Sequence, residues 1–358
     1  MKTLLIVPAM FASEGGIERL MRVVLKGLCT LAEESDEVAL IALNDDQITP
    51  SRLDPYTNSR FTTALGMGGK KIRFFFRTVA ACLRSDQIIC GHIHLVSVIG
   101  LAQLLKPRLR VFQYAHGLEV WGPWKPLVKW WVHRKIVIIA VSDYTKRRVL
   151  ERCPGLSVER IHVLPCSFDP SVAASTLSVP RVAGLILTVS RLSSEDRYKG
   201  VDQLIEAFPL IRKLYPAAHL RIIGKGNDRQ RLENLALKTD HEHIEFAGFV
   251  PDEKLPSEFA QASIFALPSR EEGFGIVYLE AFIHGTPSVA VRAGAAPEVV
   301  QPSVGELAEP HDLNDLAQAC LRALERDWDR QKLVDHANSY AFPSFCERLR
   351  EVLSPVQP

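Results

Sequence analysis

The sequence predicts an α/β fold built as two domains with parallel sheets, on three observations. Short β-branched runs alternate with helical segments along almost the whole chain, the pattern of strands joined by crossover helices. That alternation lapses once, over 166–184 (CSFDPSVAASTLSVPRVAG), a linker-like stretch rich in Ser, Ala and Pro with neither period. A chain of 358 residues is also long enough to bury two cores.

In order, the runs LLIVPA, EVALIAL, QIICGHI, RVFQYAH, IVIIAVS and RIHVLP predict the strands of a first domain, residues 1–170. After the linker, GLILTVS, HLRIIG, HIEFAGFV, SIFALPS and PSVAVRA predict those of a second, residues 178–341, each run followed by a helical segment or a tight turn. The last helical segment, FCERLREVL, lies beyond the final strand and could pack on either domain. No short-period repeat or low-complexity tract breaks the pattern.

Hydrophobic residues make up 47% and charged residues 23%, near the averages for soluble globular proteins, which excludes disordered and fibrous classes. Seven cysteines without a C-x-x-C pair read as reduced core thiols in a cytoplasmic protein. The opening MKTLLIVPAMFASEGG imitates a signal peptide, but Pro8 breaks its apolar run, and a first buried strand is the better reading. No apolar run approaches a membrane span. Charge is divided: residues 1–170 carry 23 Lys and Arg against 15 Asp and Glu, a net +8, whereas 171–358 carry 20 against 26, a net −6. The two halves are therefore suited to different partners, or to each other.

In an open parallel sheet the ligand sits at the carboxyl ends of the strands, where helices begin and free N–H groups point outward. Four turns are candidates. In SREEGFGIVYLEAF, Gly273 and Gly275 let the backbone approach an anion, which falls at the N–H groups of Gly275 and Ile276. Glu272 and Glu280 beside such an anion make sense as acceptors for hydroxyls flanking a phosphate, as in a nucleotide sugar. The plainer reading makes Glu280 a solvated helix face and Glu272 an N-cap. In SRLSSEDRYKG, Arg191 and Lys199 are two cations suited to a diphosphate leaving group, or are ordinary surface charges. Gly15 and Gly16 of EGGIER form a glycine turn suited to a phosphate, weak alone. His116 of YAHGLEVW closes a strand, as a structural histidine or as a donor to a sugar hydroxyl.

Together EEGFGIVYLEAFIHGTPSVA, SRLSSEDRYKG, GGIER and AHGLE resemble the retaining glycosyltransferases of family 4, whose GT-B fold has two Rossmann-like domains with parallel sheets facing an interdomain cleft. The resemblance runs from about residue 4 to about residue 350, with its motifs in the family's order. It implies that Glu272 contacts the donor sugar and Glu280 the ribose. It implies too that Arg191 and Lys199 hold the diphosphate, with Gly275, Ile276, Gly15 and Gly16 as backbone partners. It places His116 against the transferred sugar, Gly248, Phe249 and Val250 beside the nucleobase, and 342–358 back on the first domain. The implied activity is retaining transfer from a nucleotide-diphosphate sugar such as UDP- or GDP-sugar to a hydroxyl of a glycan, lipid-linked or small-molecule acceptor. Polysaccharide or glycoconjugate synthesis of bacterial type is the setting, with no metal and no further cofactor. The D-x-D of Asp327 and Asp329 is then accidental. Two departures stand out: Ser190 replaces a frequent glycine, and PCSFD replaces P-N-G-V-D, leaving the contact near Cys166 open.

The acceptor belongs to the basic first half. KKIRFFFRTVAACLR (70–84) has five basic residues, no acid, and apolar positions 72, 75, 76, 79 and 83 on one helical face. WGPWKPLVKWW (121–131) holds four of the five tryptophans beside Lys125 and Lys129. These read as a peripheral contact with an anionic membrane at its inner face, or as a helix packed on the sheet with solvated cations. No nucleic-acid partner is expected. Rival functions are a catalytically silent nucleotide- or membrane-binding scaffold and a nicotinamide-dependent oxidoreductase. The latter rests on IIGKGNDR, in which Arg229 occupies the third glycine position of the fingerprint.

Overall fold

The structure is a computed structural model that describes residues 1–13, 15–168 and 179–354. The centre of the expected linker, 169–178, lies outside the described residues. The chain divides into two compact units, Met1–Asp169 with Phe342–Pro358, and Pro170–Ala341.

The first unit contains β1 (Lys2–Val7), β2 (Glu37–Ala42), β3 (Phe61–Gly66), β4 (Gln87–Cys90), β5 (Arg110–Ala115), β6 (Ile136–Ala140) and β7 (Ile161–Val163). All pair in parallel in the order β3-β2-β1-β4-β5-β6-β7, with β1 aligned on β2 from Lys2 opposite Glu37 to Val7 opposite Ala42. Strands buried on both faces need apolar side chains along most of their length, which is why β6 is apolar throughout and β1 and β4 are apolar beyond their first residues, where the buried Gln87 donates to Thr3 Oγ1 at 2.9 Å. Since the order reverses at β1, right-handed crossovers put helix Gly16–Leu31 on one face. Helices Lys71–Arg84, Val96–Leu105 and Pro126–His133 lie side by side on the other. The final helix, Phe342–Leu353, packs on helix Gly16–Leu31, with the Lys26 ammonium over the Phe342 ring and the Arg110 guanidinium donating to the Leu353 carbonyl.

The second unit contains β8 (Leu185–Val189), β9 (His219–Ile223), β10 (Ile244–Gly248), β11 (Ile264–Ala266), β12 (Ser288–Val291) and β13 (Gly305–Ala308). They form a second parallel sheet in the order β10-β9-β8-β11-β12-β13. Two strands have no counterpart in the apolar runs of the sequence, β3 and β13. Both lie at sheet edges: β3 has only exposed and half-buried positions and carries two threonines, and β13 is a four-residue strand with Glu306 within it.

Two sequence readings are corrected. Trp121, Trp124 and Trp131 are core residues: Trp121 meets Tyr144 edge to face, Trp124 donates to the Val120 carbonyl at 2.8 Å, and Trp131 lies against Gly100. Only Trp130 of that group is exposed, with the Arg134 guanidinium over its ring. The apolar positions of 70–84 do not pack on the sheet either. Helix Lys71–Arg84 buries Phe74, Thr78 and Cys82, and Ile72, Phe76 and Leu83 point to solvent.

Candidate functional site

In the second unit strand order reverses between β8 and β11, so the loops leaving these two neighbours diverge and open the crevice in which α/β sheets bind ligands. Arg191 and Lys199 follow β8, and Glu272 and Gly275 follow β11. Topology thus brings together residues about 80 positions apart in the chain.

Lys199 Nζ donates to Glu272 Oε2 at 2.7 Å, and both side chains are largely buried. Glu272 is fixed from behind, its carbonyl accepting from Ala295 N at 2.8 Å. Gly275 N-caps helix Ile276–Ile283 at φ +94, and a Cβ there would overlap the Tyr278 ring, so only glycine fits the turn. Tyr278, fully buried, donates to the Leu267 carbonyl at 2.8 Å and anchors the helix to the end of β11. Glu280 is buried within that helix, so it is no solvated face.

Arg191 is clamped. Its Nε and a terminal nitrogen donate to the two oxygens of Asp196 at 2.5 and 3.1 Å, and Tyr198 Oη donates to Asp196 at 3.1 Å. Asp196 is buried while the Arg191 side chain is mostly exposed, so the carboxylate acts as an inner support for an outward-facing guanidinium. Burial and the neighbouring Asp196 hold the Tyr198 phenol well above its ordinary range, so it stays a neutral donor. Asp228 anchors the next layer by accepting from Arg197 and Arg231, whose guanidinium groups hold it below the usual carboxylate range.

Gly248 ends β10, two strands from β8, with Phe249 and Val250 just beyond it, and the exposed Phe249 ring lies 4.3 Å from Lys225 Nζ. The glycines of IIGKGNDR have a packing role. A Cβ at Gly224 or Gly226 would collide with the carbonyl of Ser190 or Leu192, so they let this loop cross the one after β8. Asp329 of the D-x-D caps helix Arg330–Asn338, accepting from Gln331 N at 3.0 Å, and Trp328 donates to the Ala323 carbonyl. Among the described residues no group of His, Cys, Asp and Glu is arranged to hold a metal ion.

In the first unit the order reverses between β1 and β4. Gly15 and Gly16 open the helix after β1, and the buried Asp45 holds the loop before them by accepting from Met10 N at 2.7 Å and Phe11 N at 2.8 Å. His116, buried after β5, contacts the Gly91 carbonyl through Nε2 at 2.8 Å, stacks on Tyr114 and donates its backbone N–H to Glu119 at 2.6 Å. His92, after β4, was not singled out by sequence. Burial pushes its pKa down to about 4, with Glu119 acting in the opposite direction, so the ring is neutral at pH 7. The signal was present in QIICGHI, a histidine next to a glycine just past a strand end, although His92 follows its glycine and His116 precedes its own. All seven cysteines are buried, and burial pushes the Cys82, Cys90 and Cys320 thiols up to about 12, which keeps them protonated at pH 7.

Comparison with known proteins bears on the family and the fold. "Glycosyltransferase Family 4" matches residues 15–172, and "Glycosyl transferases group 1" matches residues 181–340. A GDP-mannose-dependent monoacylated alpha-(1-6)-phosphatidylinositol monomannoside mannosyltransferase of Corynebacterium glutamicum is 31% identical over 53% of this chain and 53% of its own length. A GDP-mannose-dependent alpha-(1-6)-phosphatidylinositol monomannoside mannosyltransferase of Mycobacterium tuberculosis is 34% identical over 55% and 57%. The chain spans about half the length of the curated relatives it matches. HepE of Anabaena, solved with UDP and glucose, superposes over 99% of both chains with a TM-score of 0.76 at 19% identity. A glycosyltransferase from Rickettsia africae does so over 99% of both with a TM-score of 0.77 at 17% identity. The chain belongs to the family-4 glycosyltransferases and has their GT-B fold.

Proposed function

We propose that this protein transfers a sugar from a nucleotide-diphosphate sugar to a hydroxyl of a glycan or lipid-linked acceptor, with retention of anomeric configuration and without a dedicated metal. The observation that carries the reading is the convergence of Lys199, Glu272 and Gly275, with Arg191 supported close by in sequence, where β8 and β11 part. As the bond to the diphosphate breaks, negative charge grows on the leaving oxygens. Lys199 and Arg191 stabilise it, with the Gly275 and Ile276 N–H groups as further donors. Glu272 accepts from a sugar hydroxyl and Glu280 from the ribose, while Gly248, Phe249 and Val250 border the base. Retention follows if the acceptor hydroxyl attacks from the face the diphosphate leaves. By the family resemblance, His116 is assigned to the transferred sugar, Gly15 and Gly16 to the phosphates, and the acceptor to the basic first half of the chain.

The relatives named for GDP-mannose and phosphatidylinositol mannoside support a nucleotide-sugar donor and a glycolipid acceptor. Such an acceptor also favours a peripheral place on an anionic membrane, through 70–84 and the exposed part of 121–131. Thermal unfolding with a panel of UDP-, GDP- and ADP-sugars tests the donor, since a bound donor raises the midpoint according to its affinity. No stabilisation by any of them defeats the proposal. Metal independence predicts unchanged transfer in EDTA; activity lost there and restored by magnesium would refute that part.

A further inference from the structure

A turn that holds two glycines has little stiffness of its own, because each glycine opens backbone conformations closed to other residues. In the G-F-G turn the one side chain is that of Phe274, which is buried and meets the Tyr340 ring edge to face at 5.6 Å and 68°. Tyr340 in turn meets His336 at 5.6 Å, and His336 meets Phe282 at 5.5 Å, both again edge to face. His336 is fixed in its own right: its Nε2 lies 2.9 Å from the Val299 carbonyl, which can only accept, so that nitrogen carries a proton. Burial lowers the His336 pKa, with the Val299 contact acting in the opposite direction, and at pH 7 the ring packs as a neutral aromatic.

Phe282 belongs to the last turn of helix Ile276–Ile283, and Phe274 lies two residues before its first. A continuous run of rings therefore follows this helix from its entry turn to its far end, and two of them, His336 and Tyr340, come from helix Arg330–Asn338 and the residues just after it. The Tyr340 N–H donates to the Ala337 carbonyl at 2.9 Å, which keeps the chain folded back on that helix. On its other side the turn is held at Glu272, whose carbonyl accepts from Ala295 N and whose backbone leaves no room for a Cβ at Gly294. We infer that Tyr340 is a positioning residue for donor binding: through the Phe274 ring it holds the Gly275 and Ile276 N–H groups where they meet the diphosphate. The inference rests on the reading above that this turn receives the diphosphate. Without the ring the turn has more conformations to choose from, and a ligand must order it at a cost in affinity. A packing role alone would lower the melting temperature and leave the affinity of the folded chain as it is.

The test is isothermal titration of the full chain with UDP, GDP and ADP, well below the melting temperature, using whichever the wild type binds. Tyr340→Phe keeps the ring and should bind as the wild type does. Tyr340→Leu, apolar but without a ring, should bind about three- to tenfold more weakly, the worth of one aromatic pair, with folding verified by circular dichroism. Phe274→Leu should lose a similar factor, and adding Tyr340→Leu to it should cost no more, since Tyr340 acts through that ring. In the wild type the bound diphosphate should slow amide exchange over 336–340, a measurement that needs no variant. Wild-type affinity in folded Tyr340→Leu, an equal loss in Tyr340→Phe, additive losses in the double variant, or unaltered exchange over 336–340 would each overturn the inference and leave the proposed transfer standing. A wild-type chain that binds none of the three diphosphates refutes the proposed transfer, and this inference with it.

Discussion

Lys199 and Glu272 illustrate how a pair of charges can serve both structure and chemistry. Read from sequence, Glu272 beside an anion site needs a hydroxyl to justify it; in the fold Lys199 compensates it directly at 2.7 Å. Removing one member of a largely buried pair leaves the other uncompensated, so Lys199→Ala should cost stability, on the order of 1–3 kcal/mol, and lower kcat about a hundredfold or more. Lys199→Ala/Glu272→Gln should recover the melting temperature without recovering turnover, a result that separates the two roles. Full turnover in the folded single variant would remove Lys199 from the mechanism. Asp196 is the complementary case, a positioning residue that the motif alone does not distinguish from a surface acid. Asp196→Ala should weaken donor binding several-fold by releasing Arg191, and Asp196→Asn, which keeps one acceptor, should lie between it and wild type in KM.

The eight-residue helix Ile276–Ile283 depends on its entry turn. Gly275 has φ +94 and has no room for a side chain against Tyr278. Gly275→Ala should therefore destabilise the unit by about 2 kcal/mol or more and abolish the nucleotide-sugar shift, read as the urea midpoint and the thermal shift respectively. This turn was legible in the sequence as G-F-G before an apolar helix. The opposite holds for Lys71–Arg84. Its apolar period is real, but period alone does not say which side of a helix meets the sheet when both sides carry phenylalanine. Phe74 is chosen because it shares its face with the small Thr78 and Cys82, which let the helix lie close to the strands.

Across the whole molecule, partly buried neutral histidines couple stability to pH. His92 in the first unit and His284 in the second have pKa values lowered to about 4 by burial, against 6.5 when unfolded. Between those values the unfolded chain binds more protons, so stability is complete above pH 6.5 and falls as pH drops toward 4. Each histidine should account for on the order of 1–2 kcal/mol between pH 7 and pH 5. His284 also buries an unpartnered Nε2 against Phe259. His284→Phe should leave stability at pH 7 near wild type and flatten its acid side, measured as urea midpoints at the two pH values; an unchanged slope would show that His284 does not titrate in this way.

The chain's own letters determined the α/β class, the two-part division and the rim turns bearing Gly15, Gly16, His116, Arg191, Lys199, Glu272 and Gly275, because strand periodicity and glycine turns are local properties. The edge strands β3 and β13 escaped it, since the first is only partly buried and the second is four residues long with Glu306 within it, and neither forms an apolar run. Which tryptophans are core, which side of 70–84 meets water, and the pairing of Lys199 with Glu272 depended on folding. These depend on residues far apart in sequence becoming neighbours, as β8 and β11 do, and on how much room a partner such as Gly100 leaves. The amino-acid sequence records a side chain's size and charge, whereas burial and ion pairing belong to the surroundings that parallel pairing assembles around it.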